Sequence, residues 1–349
     1  MALSDLVKLT EEESNLVENV INCYQLPPGE RHISRNTVGF VNRTFIIEVA
    51  DQKFVLRQSS PITSKEHLEF EVEVLRYFEN ISYPLTPRLL PNIKGEHLTM
   101  YEEKYFMLQN FIPGEIRASW NNVAQFEGPM LDNFFKASAD FTRAASGFKP
   151  SKEYPNFPIT YYTQNAAVLL KEAVAQIPES EGKHLLVQRS SDLLRFAEAA
   201  QQEFETLSYD ELPKQLVHFD LHPGNVHYAG DTIVGLFDFD WARMDSRISD
   251  LAGAIGQSCY IYGGQDSGRY IKQKIDAGLA AYRNAYGPSE FDREKERRLI
   301  KAAVRGYAFF QIFFVADWYR NHVGESDAAS IVLHVRNVCL ENDYDALFS

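Results

Sequence analysis

Three oxygen-bearing side chains fall close together in one short stretch: Asp220, Asn225 and Asp238. They sit in Val217-His218-Phe219-Asp220-Leu221-His222-Pro223-Gly224-Asn225-Val226, followed by Val234-Gly235-Leu236-Phe237-Asp238-Phe239-Asp240-Trp241-Ala242. Two carboxylates and an amide suit a magnesium ion, which takes few protein oxygens and shares the rest of its shell with phosphates. Phosphoryl transfer asks the protein for little covalent chemistry. It asks for charge neutralisation and for a carboxylate in line with the attacking hydroxyl.

Local signals say how these side chains are held. Pro223-Gly224 forces a loop between short apolar strands and presents Asp220 and Asn225 at one end. Gly230-Asp231 makes a hairpin turn, and a return strand over 233–237 delivers Asp238. His218, buried in the strand before Asp220, reads as a structural brace. Asp250, in Ile248-Ser249-Asp250-Leu251-Ala252, is the expected N-cap of the next helix.

With the residues HFDLHPGN and LFDFDWA in view, the chain resembles the aminoglycoside phosphotransferase/choline kinase/homoserine kinase superfamily. The resemblance implies an α+β, bilobal, protein-kinase-like fold. It implies ATP and Mg²⁺ as cofactors and a small-molecule hydroxyl as acceptor. By the same resemblance Asp220 matches the catalytic base, and Asn225 and Asp238 match the metal ligands. Asp240 stands where some members carry a further acidic residue.

The first half agrees more loosely. Asn36-Thr37-Val38-Gly39-Phe40-Val41-Asn42 resembles the loop that covers the nucleotide, with Gly39 and Asn42 as its contacts. Arg57 stands where a Lys usually grips phosphates. The charge is kept, but a planar fork replaces a point charge. Glu71 matches the helix glutamate that pairs with that cation. Gln109 and Phe111, in Gln109-Asn110-Phe111-Ile112-Pro113-Gly114, resemble the hinge whose backbone meets adenine. Phe219 departs from the Gly of many relatives. His222, Asp240, Trp241, Asp245 and Trp318 are candidate substrate contacts, as are Tyr319 and His322.

The positioning elements follow from periodicity. Thr10-Glu11-Glu12-Glu13 is a capping box, so a helix runs over 11–24. Strands are expected at 44–49 and 53–57 around the turn Ala50-Asp51-Gln52, and near 97–101 and 105–111. A helix covers 64–78. Helical periodicity then dominates 128–146, 162–207, 268–286, 291–320 and 327–340, with one strand-rich island at 215–241. The expected division is a small β-rich nucleotide-binding lobe over 1–110, a linker over 111–118, and a helical lobe over 119–349 that carries the catalytic and metal-binding loops.

Bulk composition agrees. In 349 residues, hydrophobic side chains make up 45% and aromatic ones 13%, enough for two cores. The net charge of −13 disfavours nucleic acid and anionic membranes as partners, and an amine-bearing acceptor fits it. Cys23, Cys259 and Cys339 lack CxxC spacing, which argues against zinc and disulfides and for a reducing cytoplasm. The apolar stretch 307–316 is too short to span a bilayer and contains Gln311. The expected oligomeric state is a monomer or homodimer. Two other readings stay open at this level: a kinase fold retained only for binding, and a metal hydrolase built on His218-x-Asp220-x-His222.

Overall fold

In the computed structural model, residues 6–36, 42–61, 63–117, 126–177, 179–261, 265–321 and 336–349 are described. They form two compact units. One comprises Met1–Ile116, Pro150–Pro155 and Val226–Asp240; the other comprises Arg117–Lys149, Asn156–Asn225 and Trp241–Ser349.

The first unit is built on an antiparallel sheet of β1 (Leu6–Val7), β2 (Arg31–Asn36), β3 (Arg43–Val49), β4 (Gln52–Gln58), β5 (Leu89–Leu90), β6 (Thr99–Tyr101) and β7 (Lys104–Asn110). Its order is β1-β2-β3-β4-β7-β5, with β6 also on β7. The turn between β3 and β4 is a two-residue hairpin. Val49 pairs with Gln52, and Ala50 and Asp51 both have positive φ, as the primed turns require. Helix α1 (Glu11–Ile21) starts at the expected capping box: Glu13 N donates to Thr10 Oγ1 at 3.2 Å, and Thr10 N to Glu13 Oε2 at 3.1 Å. Its buried stripe of Val17, Val20 and Ile21 packs with Phe45, Ile47, Leu56, Phe106 and Leu108 of the sheet. Burying apolar area of this kind is the main favourable term in folding the unit.

Helix α2 (Lys65–Asn80) is capped by Ser64 and buries Leu68, Phe70, Val74, Leu75 and Phe78. Glu71 is buried on the same helix. The unit is completed by a hairpin of two strands, Val226–Ala229 and Thr232–Leu236, with Gly230 at φ 61 in its turn. Leu236 N donates to Leu85 O at 2.6 Å. The ring of Phe239 stands 6.1 Å from that of Phe78.

The second unit is helical: α3 (Pro129–Ala145), α4 (Ile159–Gln164), α5 (Ala166–Gln176), α6 (Glu181–Gln188), α7 (Ser190–Thr206), α8 (Arg247–Ser258), α9 (Lys272–Tyr286) and α10 (Arg293–Asn321). The region read from periodicity as helical over 162–207 is thus several shorter helices. Among the helices of the described residues, none is long and apolar enough to cross a membrane. Helix α8 is buried along its whole length. A short antiparallel pair, Gln215–Val217 with Arg243–Asp245, leads into the Asp220 loop and into α8. The expected helix over 327–340 lies largely outside the described residues.

Candidate active site

In the second unit the chain leaves its short strand at Val217 and turns sharply. Phe219 takes φ 67, a left-handed conformation that a bulky residue seldom adopts. Two things hold it there. Phe219 N donates to Asp250 Oδ1 at 2.7 Å. Its ring is fully buried among Tyr162, Tyr307 and Phe310, with the Arg243 guanidinium 3.7 Å over its face. Asp250 is therefore not the helix cap expected from its position. Ser246 caps α8, its Oγ accepting from Ile248 N, and Asp250 reaches back from the first turn to the Asp220 loop. Burial raises the Asp250 carboxyl to about 7, against the pull of the backbone N–H groups it accepts.

The turn leaves the Asp220 carboxylate between two amide N–H groups and one phenol O–H. Gln257 Nε2, on α8, donates to Asp220 Oδ1 at 2.6 Å and also to Tyr307 OH. Tyr307 OH, on α10, lies 3.4 Å from the same Oδ1. Burial and the Asp220 charge raise the Tyr307 phenol well above its ordinary value, so it stays protonated and can donate. Asn225 Nδ2 donates to Asp220 O at 3.0 Å and to Oδ2 at 3.2 Å. His222 Nε2 is 3.7 Å from Oδ2, beyond hydrogen-bond reach. Its Nδ1 accepts from Gly224 N at 3.0 Å, and burial lowers the imidazole, so the ring is neutral with its proton on Nε2.

Two glycines make this packing possible. A Cβ on Gly253 would lie 2.7 Å from Phe219 O, and one on Gly256 would lie 2.8 Å from the Tyr307 ring. Asn225 has its amide nitrogen engaged by Asp220, which leaves the amide oxygen as the atom this side chain could offer a metal. Such an oxygen and the Asp238 carboxylate are the donor types magnesium accepts. Among the described residues no three His, Cys, Asp or Glu side chains gather into a metal cluster.

In the first unit Arg57 and Glu71 are buried and meet in an ion pair between Arg57 Nη2 and Glu71 Oε2. The sequence did not signal that Asp240 joins them: Arg57 Nη1 stands 3.0 Å from Asp240 Oδ1. Asn42 Nδ2 donates to Asp240 Oδ2 at 2.5 Å, and Asn42 Oδ1 accepts from Ser60 N at 3.0 Å. His67 Nε2, from α2, meets the Asp240 backbone oxygen. Burial opposes the Arg57 charge, yet Asp240, Glu71 and Asp238 outweigh it and raise the guanidinium above its ordinary value. Burial, with Asp240 adding to it, lifts the Glu71 carboxyl to about 7 against the lowering pull of Arg57. Asp238 takes φ 64, a second left-handed non-glycine residue.

The other candidates divide. Gln109 is buried on β7, paired with Val55 and Leu89. Phe111 N donates to Lys53 O at 3.3 Å, and the following segment is pinned where His227 Nδ1 meets Ile112 O at 3.1 Å. Trp241 is half-buried with its ring 5.1 Å from that of Phe310. Asp245 has Lys214 Nζ 3.5 Å from its Oδ1. It is fully buried and its oxygens accept from Ile159 N and Ser246 N, so the structure makes it a brace. Gly39 and His322 lie outside the described residues, and so do the side chains of Trp318 and Tyr319 within α10.

The family model of the phosphotransferase enzyme family matches residues 32–297. Among curated relatives, the homoserine kinase of Zymomonas mobilis subsp. mobilis is 29% identical over 284 residues, 81% of this chain and 80% of that protein. The homoserine kinase of Methylocella silvestris is 33% identical over 110 residues, which spans 32% of its length. Among solved structures, an amicoumacin kinase in complex with AMP-PNP, Ca²⁺ and Ami superposes with TM-score 0.69 at 14% identity, covering 96% of this chain and 97% of that one. A microcompartment-associated aminopropanol kinase gives TM-score 0.69 at 13% identity, covering 93% and 95%. The fold is therefore the α+β, protein-kinase-like one that the motifs imply.

Proposed function

The chain belongs to the phosphotransferase enzyme family, and from that premise we propose that it moves the γ-phosphoryl of ATP, with magnesium, onto a hydroxyl of a small amino alcohol or hydroxy amino acid. Homoserine is the first acceptor to try, since curated relatives that match along four-fifths of this chain are homoserine kinases. Asp220 is the base. As the acceptor oxygen bonds to phosphorus, the bond from phosphorus to the β,γ-bridging oxygen breaks. The hydroxyl proton passes to the Asp220 carboxylate and then to solvent, and ADP departs with the electron pair.

Arg57, buttressed by Glu71, binds phosphate oxygens, and Asn42 with Gly39 belongs to the loop over the nucleotide. The backbone near Gln109 and Phe111 meets adenine. By the motif resemblance Asn225 and Asp238 would each offer magnesium an oxygen, and the ion would supply charge neutralisation at the phosphates. Trp241, His222 and Trp318 are left as candidate acceptor contacts.

The observation that carries this reading is the fixed Asp220 carboxylate, hydrogen-bonded by Gln257 and Asn225 on two different elements. A base must be held in line before the substrate arrives. The test is ATP consumption across a panel of homoserine, aminopropanol and spectinomycin, with Asp220→Asn as control. Turnover should fall by about three orders of magnitude in the variant while nucleotide affinity holds. Wild-type turnover in Asp220→Asn would end the assignment.

A further inference from the structure

An ionised carboxylate offers about four lone-pair sites, two on each oxygen. At Asp220 they are unequally used. Oδ1 faces Gln257 Nε2 at 2.6 Å and Tyr307 OH at 3.4 Å. Oδ2 has Asn225 Nδ2 at 3.2 Å, while His222 Nε2 stays at 3.7 Å. We propose that Gln257 is a positioning residue that, with Tyr307, saturates Asp220 Oδ1 and so makes Oδ2 the oxygen that receives the acceptor's hydroxyl proton.

The inference rests on Asp220 being the base, but it concerns residues that the motif does not contain. Gln257 lies 37 positions after Asp220, and Tyr307 lies 87 after it. Both are buried, so neither touches solvent freely, and the Gln257 amide is locked by two acceptors at once. A carboxylate carrying a hydrogen bond on only one side can turn about its Cβ–Cγ bond, because that torsion is broad. With Gln257 and Asn225 on opposite oxygens the turn is blocked. The glycines of α8 serve the same end. Gly256 lets the Tyr307 ring lie against the helix, and Gly253 admits Phe219 O, so Gln257 and Tyr307 reach the loop without strain.

The experiment measures phosphoryl transfer from Mg·ATP to homoserine, and to water as released inorganic phosphate, in wild type, Gln257→Met, Gln257→Glu, Tyr307→Phe, Asp220→Asn and the double variant Asp220→Asn/Gln257→Met. Methionine keeps the volume and glutamate keeps the shape, and both remove the N–H donor. Loss of kcat by about 10–100-fold in both Gln257 variants is expected, with KM for ATP within about threefold of wild type. Tyr307→Phe should cost less than either. In the Asp220→Asn background the Gln257 change should cost nothing further, because it acts only through that carboxylate. Crystal structures of wild type and Gln257→Met without ligands add a readout independent of turnover: the Asp220 carboxylate should be turned or split between orientations in the variant.

The proposal is overturned if Asp220→Asn is inactive while both Gln257 variants keep wild-type kcat. It is equally overturned if Gln257→Met costs the same factor in the double variant, which would mark a merely structural loss. If Asp220→Asn itself retains turnover, the base assignment fails. The crystal comparison still decides whether Gln257 orients the carboxylate, and an unturned Asp220 in Gln257→Met refutes that.

Discussion

A single methyl group on α8 should disable the Asp220 loop. Gly253→Ala would place a Cβ 2.7 Å from Phe219 O and 3.2 Å from Tyr307 Cε2. The nearer atom is backbone, so no side-chain rotation relieves the clash. An ordinary contact begins near 3.4 Å, so the loop must retreat by about 0.7 Å. Alanine in a helix gains about 1 kcal/mol over glycine. Overpacking a filled site costs about 1–3 kcal/mol, and here the loop is also tied to Asp250 and to the ring cluster around Phe219. The net loss of stability should be about 0–2 kcal/mol. The effect on turnover should be larger in proportion, since a shift of about 1 Å at a reacting group can cost about 100-fold. Urea unfolding and steady-state turnover on the same preparation check both numbers. Wild-type kcat at unchanged or raised stability would refute the claim that Phe219 O rests on Gly253.

Three further changes test the buried charges and the strained turn. Arg57→Met leaves the buried Glu71 and the half-buried Asp240 without their cation, and should destabilise by about 3–5 kcal/mol in urea titrations while weakening nucleotide binding. Asp250 titrates near 7 when folded against an ordinary 3.8, so between those values the folded chain holds the extra proton. Wild-type stability then falls as pH rises through that window, by at most about 1.4 kcal/mol per pH unit. Asp250→Asn removes this group's share of the slope and leaves that of Glu71, so its stability relative to wild type, read by urea unfolding, should be higher at pH 8 than at pH 5. Phe219→Gly relieves about 1–3 kcal/mol of left-handed strain but empties a buried ring site worth about 3–5 kcal/mol. The midpoint of denaturation should therefore drop.

What the chain reveals before folding is what depends on neighbours in sequence. The Thr10–Glu13 box, the Ala50-Asp51 hairpin and the Gly230 turn are each decided within a few residues, and all three appear in the structure. The pairing of Arg57 with Glu71 was implied by the family resemblance rather than by local pattern, and the two side chains meet in the structure. Strand β2 was not, because Arg31–Asn36 alternates weakly and carries little apolar character. Asp250 looked like a cap because aspartate before an apolar run is a good one, but Ser246 had already filled the position. Gln257, Tyr307 and the Asp240 contact with Arg57 depend on packing between distant elements. A glutamine on an apolar helix carries no local mark of its partner. The two glycines on α8 were the one available hint that something approaches that helix closely.

The two motif segments share a physical feature, a non-glycine residue held in a left-handed backbone. Phe219, just before Asp220, and Asp238 both hold left-handed backbones without being glycine. Each such residue costs about 1–3 kcal/mol and survives only where its surroundings over-determine it. Around Phe219 the constraint is explicit: the Asp250 carboxylate takes its N–H, Gly253 leaves room for its carbonyl, and four aromatic or cationic groups enclose its ring. A glycine would adopt the turn at no cost but would also leave it freely, and the direction of the next side chain would then rest on Gln257 and Asn225 alone. A phenylalanine locked in the same turn converts packing energy into a fixed heading for Asp220. The departure from glycine at position 219 therefore belongs to the same device as Gln257. The backbone sets where the carboxylate points, and the amide sets how it is turned.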